Sequence, residues 1–314
     1  VPIVPSPIEG EPRAAARTVF GWPARPGRVV GRVAAVTNAD PQVATAGVLA
    51  ATGAQGKVVT VYATGDAIAV TEGIDLGPVR SIATDGPNVC ASDRRTLRCA
   101  RVDGSAVVVR PSGASETAGL WGGPGVLLRG TRSGLESGLE ASEDGFESVR
   151  WVALPRARSI AAAVVETKTR WTAILLPNEG GQRPRYGLTL DAGTTPLADF
   201  GTLDRSGWSS GDRLWPDQLV TSALSTETVI AERGEPHTTL KLPWAASGAI
   251  AFARRALLLF GRGPTGAGGF LLVELPSRRI TSIVPPGGRP IVAAGRVGRS
   301  IVAIHDDGAV VAWE

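Results

Sequence analysis

Methionine is absent from this 314-residue chain, and cysteine, histidine and tyrosine occur only twice each. The histidines, His237 and His305, lie far from each other and from Cys90 and Cys99 and are not at ligand spacing. They do not compose the four-ligand set of a structural zinc, so no metal is expected. No nucleotide-binding motif is present either, and no cofactor is expected. With so few imidazoles, any general acid–base chemistry would fall to carboxylates. No stretch reaches the roughly 18 consecutive apolar residues of a membrane-spanning helix. Helical periodicity is almost missing: "PRAAARTVF" and "RSIAAAVVET" are the candidates, and the valines of the second favour a strand.

Lysine is scarce. Of 33 basic residues only Lys57, Lys168 and Lys241 are lysine, an arginine bias typical of GC-rich coding. The formal charge is +4, and its densest basic stretch, Arg13, Arg17, Arg25, Arg28 and Arg32, has no acid between residues 13 and 39. Such a cluster fits phosphate in a nucleic-acid binder. An acidic run, Glu136, Glu140, Glu143, Asp144 and Glu147, offers instead an electrostatic match within or between molecules, and no nucleic-acid partner is expected.

What the chain does have is turns and short β runs. Gly 40 and Pro 23, without a Gly-X-Y period, read as many connections between short strands, and 43% hydrophobic residues suffice for a sizeable core. "GKVVTVYATGDAIAVTEG", "RSIAAAVVETKTRWTAILLPNEG" and "RRALLLFGRGPTGAGGFLLVELPSRRITSI" each supply strand-like runs bounded by Gly, Pro or Asp. Gly77, Gly113, Trp151, Gly193, Trp244 and Gly288 recur at intervals of 36 to 51 residues, the length of a four-stranded propeller blade, typically about 40 to 50 residues. The expected fold is all-β: a single β-propeller over residues 13–314 preceded by an extended segment 1–12. Six or seven blades fit, and seven are expected. The last segment, from Arg289, holds only about three strands, so residues near 16–35 should complete that sheet and close the ring.

Folding "NVCASDRRTLRCARV" back at Arg94-Arg95 sets Cys90 opposite Cys99 in a non-hydrogen-bonded pair, where Cα atoms approach to about 4.5 Å. Either a disulfide or two reduced cysteines packed as small hydrophobes satisfies this register. The bridged form implies an oxidising compartment, so the protein is expected to be exported, whether periplasmic, cell-surface or extracellular. The opening "VPIVPSPIEGEPR" has the composition of a segment left behind a cleaved export signal or at an artificial start of the chain, and either origin fits. At an offset of 213 residues, "SIVAIHDDGAVVAWE" overlays this hairpin, with Asp307-Gly308 at the turn and Ala303 and Ala312 in the places of the two cysteines.

"VRSIATDGPNVCASDRRTLRCARV" and "RPIVAAGRVGRSIVAIHDDGAVVAW" resemble repeats of the regulator-of-chromosome-condensation type, whose bacterial members often carry such a cysteine pair around a turn. The resemblance implies a seven-bladed propeller. It does not carry over the eukaryotic members' exchange activity or chromatin binding, because no functional residue matches.

"GWSSG", residues 207–211, fits a nucleophile elbow with Asp212, Asp217 and His237 following, but its polar neighbours lack the strand and helix that such an elbow needs. No catalytic residue is assigned. Trp208 and Trp215 lie in a Gly-, Ser- and Asp-rich stretch that reads as a surface connection. Their indoles, oriented by Asp212, Arg213 and Asp217, are the candidate binding residues for a protein or glycan, unless both rings fold back as local core. "GRGPTGAGG" reads as a hairpin loop, and His305 as a solvated turn residue. Asp191, Asp199 and Asp204 read as turn acids. The favoured function is a noncatalytic interaction or scaffold module, exported or surface-associated. The alternatives are a propeller hydrolase or lyase using funnel carboxylates on a saccharide or ester, and a structural subunit of a cell-envelope assembly.

Overall fold

The computed structural model describes residues 22–314 apart from 24–25, 35, 37–41, 54–55, 112–114, 134–135, 154–157, 178–185, 191–193, 197–212, 216–217, 222–225, 233–237, 254–255, 264, 276 and 284–287. The described strands form seven four-stranded antiparallel sheets. Strand β1 (Arg28–Arg32) comes first in sequence but belongs to the last sheet. Blade 1 contains β2 (Gln42–Thr45), β3 (Val48–Thr52), β4 (Val58–Thr64) and β5 (Ala67–Ile74). Blade 2 contains β6 (Ser81–Thr84), β7 (Asn88–Ser92), β8 (Thr96–Arg101) and β9 (Val108–Pro111). In blade 3 the strands are β10 (Glu116–Gly123), β11 (Val126–Ser133), β12 (Glu136–Ser142) and β13 (Arg150–Ala153). Blade 4 follows with β14 (Arg158–Thr167), β15 (Arg170–Pro177), β16 (Tyr186–Leu190) and β17 (Thr194–Pro196). Blade 5 has β18 (Arg213–Trp215), β19 (Gln218–Thr221), β20 (Glu227–Glu232) and β21 (Thr238–Lys241). Blade 6 has β22 (Ala246–Ala253), β23 (Ala256–Arg262), β24 (Gly268–Glu274) and β25 (Arg279–Ile283). Blade 7 is β26 (Ile291–Val297), β27 (Ser300–His305), β28 (Ala309–Trp313) and β1.

The leading strands β2, β6, β10, β14, β18, β22 and β26 touch one another in that order, and β26 returns to β2, so the sheets form a closed ring. Sheets stacked on both sides explain why the middle strands read as continuous apolar runs: "ALLLFG" of β23 and "SIVAIH" of β27 are buried along their whole length. Each fully buried aliphatic or aromatic side chain in these stacks contributes about 1.5–3 kcal/mol. "RSIAAAVVET" is strand β14, as the valines suggest. Among the described residues no helix is long and apolar enough to cross a membrane.

Ring closure uses the expected part of the chain. Strand β1 pairs antiparallel with β28, Arg28 opposite Ala312 and Arg32 opposite Ala309, with a bulge between Val29 and Gly31. Just before it, Trp22 is buried between blades 6 and 7, 5.4 Å from the Phe252 ring and edge-on to Phe270 at 5.5 Å. After it, Val33 N–H donates to the Gly308 carbonyl at 2.9 Å. Gly308 has φ +81°, and a Cβ there would fall 1.9 Å from the Val33 oxygen, so this close approach requires glycine.

Cys90 and Cys99 are Cα partners on β7 and β8 and form a disulfide with Cα atoms 4.1 Å apart. The turn itself is wider than expected. The ladder ends at Ser92 opposite Leu97, and the Asp93 carboxylate caps the turn by accepting from the N–H groups of Arg95 (2.6 Å) and Thr96 (2.7 Å). At the C-terminus the expected Asp307-Gly308 two-residue turn is replaced by a three-residue loop. Gly308 N–H donates to the His305 carbonyl around Asp306-Asp307, and only Gly308 of these has positive φ. This is a type I turn followed by a glycine bulge, whereas the two-residue type I′ turn needs positive φ at both centres. In consequence Ala303 pairs with Val311 and Ala312 with Val302, one residue out of step with the cysteine hairpin.

Gly77, Trp244 and Gly288 fall between blades, but Trp151 is on outer strand β13, and Gly113 and Gly193 lie outside the described residues. His305 is not a solvated turn residue. It is buried at the end of β27, with Nδ1 donating to the Arg289 carbonyl at 2.6 Å and its ring 6.3 Å from that of Trp313. The stacking of blade 7 against the incoming 288–290 connection covers it.

Candidate interaction surface between blades 2 and 3

The segment "EASEDGFESVRWVA" builds the most distinctive feature of the described surface. Its acids and serines tie the connection between β12 and β13 into a fixed loop. Ser142 Oγ donates to Asp144 Oδ1 at 2.7 Å and accepts from Phe146 N–H at 2.7 Å. Asp144 in turn accepts from Ser148 N–H at 2.9 Å and from the Ser148 hydroxyl at 2.5 Å. Burial works against ionisation of Asp144, but the bonds from Ser148 and Ser142 outweigh it and hold the carboxyl at about 2. Gly145 and Phe146 both have positive φ, 69° and 65°. A bulky residue in that region is strained, and the Phe146 ring is retained there by burial between blades 2 and 3 with the Arg129 guanidinium 5.8 Å above its centroid.

This loop delivers Val149 and Trp151, two residues apart, to the side wall of the ring. Both are about half exposed, at 52% and 50%. The Trp151 indole lies across Gly138, where a Cβ would be 2.2 Å from its ring, so the missing side chain on β12 provides its seat. On the opposite face of β13, Arg150 stacks on the Trp171 ring at 4.7 Å. The other exposed large apolar residues of the described chain, Val29, Val107 and Val109, also lie on or beside outermost strands, β1 and β9.

Behind Trp151 the two blades present facing polar rows. Cross-strand partners point to the same side of a sheet. In blade 2 one row runs Ser81, Ser92, Leu97, Arg110; in blade 3 the facing row runs Leu120, Arg129, Glu140, Trp151. Ser81 Oγ accepts from Leu120 N–H at 2.9 Å, and Thr117 N–H donates to the Arg94 carbonyl at 2.9 Å, which fixes the two blades against each other. Arg129 and Glu140 form a largely buried ion pair in which Nε donates to Oε2 at 2.7 Å. Arg110 Nη2 reaches the exposed Glu147 at 3.1 Å. Ser92 Oγ, Arg110 Nε, Thr117 Oγ1 and Thr131 Oγ1 are buried without a hydrogen-bond partner among the described residues.

Within the acidic run, Glu140, Glu143, Asp144 and Glu147 are matched locally, by Arg129, Lys168, two serines and Arg110 respectively. Of the candidate binding residues, Trp208, Asp212 and Asp217 lie outside the described residues, as do "GWSSG", His237, Asp191, Asp199 and Asp204. Arg213 and Trp215 lie on β18, the leading strand of blade 5, where the sequence suggested a connection. The sequence offers a tryptophan on an edge strand and a glycine on the strand beside it, but nothing along the chain brings the two together.

No protein-family profile matches the chain, and no curated protein does. Many solved structures share its fold. The structure of BBS1N in complex with ARL6DN, soaked with lead, superposes with a TM-score of 0.58 at 14% identity, covering 91% of this chain and 94% of that one. A chain of the mitotic checkpoint complex gives a TM-score of 0.54 at 12% identity over 99% and 96% of the two chains. The β-propeller domain of Myceliophteria thermophila Cps50 (Swd1) gives 0.54 at 10% identity over 90% and 98%. At these identities the likeness concerns architecture: the chain is a β-propeller, and what it binds has to be argued from its own surface.

Proposed function

We propose that this propeller is a noncatalytic protein-interaction module, exported or displayed at the cell surface, that engages its partner through the side wall of blades 2 and 3. The observation that carries this reading is Trp151, a large aromatic half open to solvent yet locked in place by Gly138 and by the loop pinned through Ser142 and Phe146. A rigid aromatic anchor loses little conformational entropy on association and is the residue type that dominates interface energetics. The equally exposed Val149, two residues along the chain, favours a protein over a glycan. The Cys90–Cys99 bridge supports a location outside the reducing cytosol. Architectural relatives found in complexes, BBS1N with ARL6DN among them, are consistent with a binding role and add no residue-level support. The resemblance of two hairpins to regulator-of-chromosome-condensation repeats supports the propeller, and none of that family's activities is proposed here.

A photo-crosslinking residue at Val149 in the native host should trap a protein adduct that is lost when Trp151→Ala is added, while the same residue at Arg279 on the edge of blade 6 should not trap it. Identical adducts from both positions would reject the side wall as the binding surface. Mass measurement after alkylation of freshly isolated protein should find no free thiol; two modified cysteines would reject the exported location.

A further inference from the structure

We infer that the polar compartment behind Trp151 receives a carboxylate, the side chain of an aspartate or glutamate on an extended segment of the protein partner, while a neighbouring apolar residue of that segment covers Trp151 and Val149. The inference rests on the side-wall reading above and adds the chemistry of what binds there. Ser92 is 1% exposed, Thr131 2% and Thr117 7%, yet none of their hydroxyls is hydrogen-bonded among the described residues, and the Arg110 Nε–H is in the same position. Ser92 and Arg110 share one row of blade 2, and Thr117 and Thr131 are Cα partners on the facing side of blade 3.

All four groups can donate, and a guanidinium Nε can only donate. Buried donors without acceptors are unfavourable, and an anion satisfies several of them at once. Within the two facing rows the cationic charge open to it belongs to Arg110, because Arg129 is taken up by Glu140. Arg110 Nη2 makes its ion pair with Glu147, whose side chain is 66% exposed, and its Nε–H is left over. With Glu140 and Glu147 close by, a singly charged carboxylate fits better than a phosphate of higher charge. The extended form of the ligand follows from β13, which among the described residues ends its sheet with one edge unpaired. Val149 and Trp151 follow the two-residue period with which an added strand presents side chains.

The test is selection of random linear peptides on the intact chain, followed by fluorescence anisotropy with the peptides selected and with analogues in which Glu is replaced by Gln and Asp by Asn. The expected peptides carry an acidic residue with an apolar residue nearby, depend on Trp151, and lose about tenfold or more in affinity in the neutral analogue, as befits hydrogen bonds to a charged group. Arg110→Gln should abolish the difference between acidic and neutral peptides, and the isosteric Thr131→Val should reduce it. The wild-type comparison of acidic and neutral peptides needs no variant and stands whatever Arg110→Gln does to folding. Peptides that depend on Trp151 but bind equally well when neutral would overturn the carboxylate and leave the side-wall reading in place. Failure to select any peptide that depends on Trp151 would overturn both.

Discussion

Replacing Gly308 by alanine probes ring closure directly, because Gly47 supplies an internal control. Both glycines sit in hairpin turns with nearly equal backbone angles, φ +81° and +76°. A Cβ at Gly47 meets nothing within 4 Å, whereas one at Gly308 would lie 1.9 Å from the Val33 oxygen and 3.0 Å from its carbon. The left-handed conformation alone costs an alanine about 1–2 kcal/mol, and both variants bear it. Gly308→Ala must also push the Val33 backbone away by about 1 Å or more, an overpacking term of about 1–3 kcal/mol. It weakens the Val33 to Gly308 hydrogen bond as well, a further loss of about 1 kcal/mol. The difference between the variants is then about 2–4 kcal/mol. With an unfolding entropy of about 2.1 cal/mol/K per residue, a chain of this length should melt about 3–6 °C lower in Gly308→Ala than in Gly47→Ala. Hydrogen exchange should localise the effect, with amides of β1 and β28 losing protection only in Gly308→Ala. Equal melting temperatures, or unchanged protection in β1, would refute the placement of residues 28–33 against blade 7.

The double variant Cys90→Ala/Cys99→Ala removes a crosslink closing a loop of about ten residues, worth about 2.7 kcal/mol in the chain-entropy treatment and about 4 °C in melting temperature. Thermal melts with and without reductant should show the wild type falling towards the variant and the variant unmoved, and a wild type indifferent to reductant counts against the estimate. Asp144 has its folded-state value lowered from 3.8 to about 2, so its contribution is present above pH 3.8 and is lost as pH falls from there to about 2. Urea unfolding of Asp144→Asn should therefore give a lower midpoint at neutral pH and a shallower loss across that acid window, and parallel pH curves for the two proteins contradict the role given to Ser142 and Ser148.

The hairpins and their stacking were legible because they depend on local pattern. Arg94-Arg95 centred the cysteine pairing, and the shortage of strands after Arg289 pointed to the segment containing β1. Legibility ended where neighbours decide. Asp306-Asp307-Gly308 contains the Asp-Gly signal, but the extra aspartate allows a type I turn with a bulge, and the approach of Val33 fits that geometry. His305 looks like a polar turn residue in one dimension and is buried only because residues from another part of the chain lie over it. The surface at Trp151 escaped notice for a similar reason. Its components, Gly138, Phe146, Arg110 and Thr131, come from three strands of blade 3 and its neighbour and from a strained loop, and pattern along the chain does not show that they meet.

Because β1 is held by β28, the first strand of the propeller finds its hydrogen-bonding partner only after the last one has been made. Until then Trp22 and the strand behind it have no permanent home, and six growing sheets await a seventh that cannot be completed early. A chain interrupted before β28 therefore leaves β1 and β27 without the strand that joins them, an extra pair of exposed edges that quality-control proteases can distinguish from the closed ring.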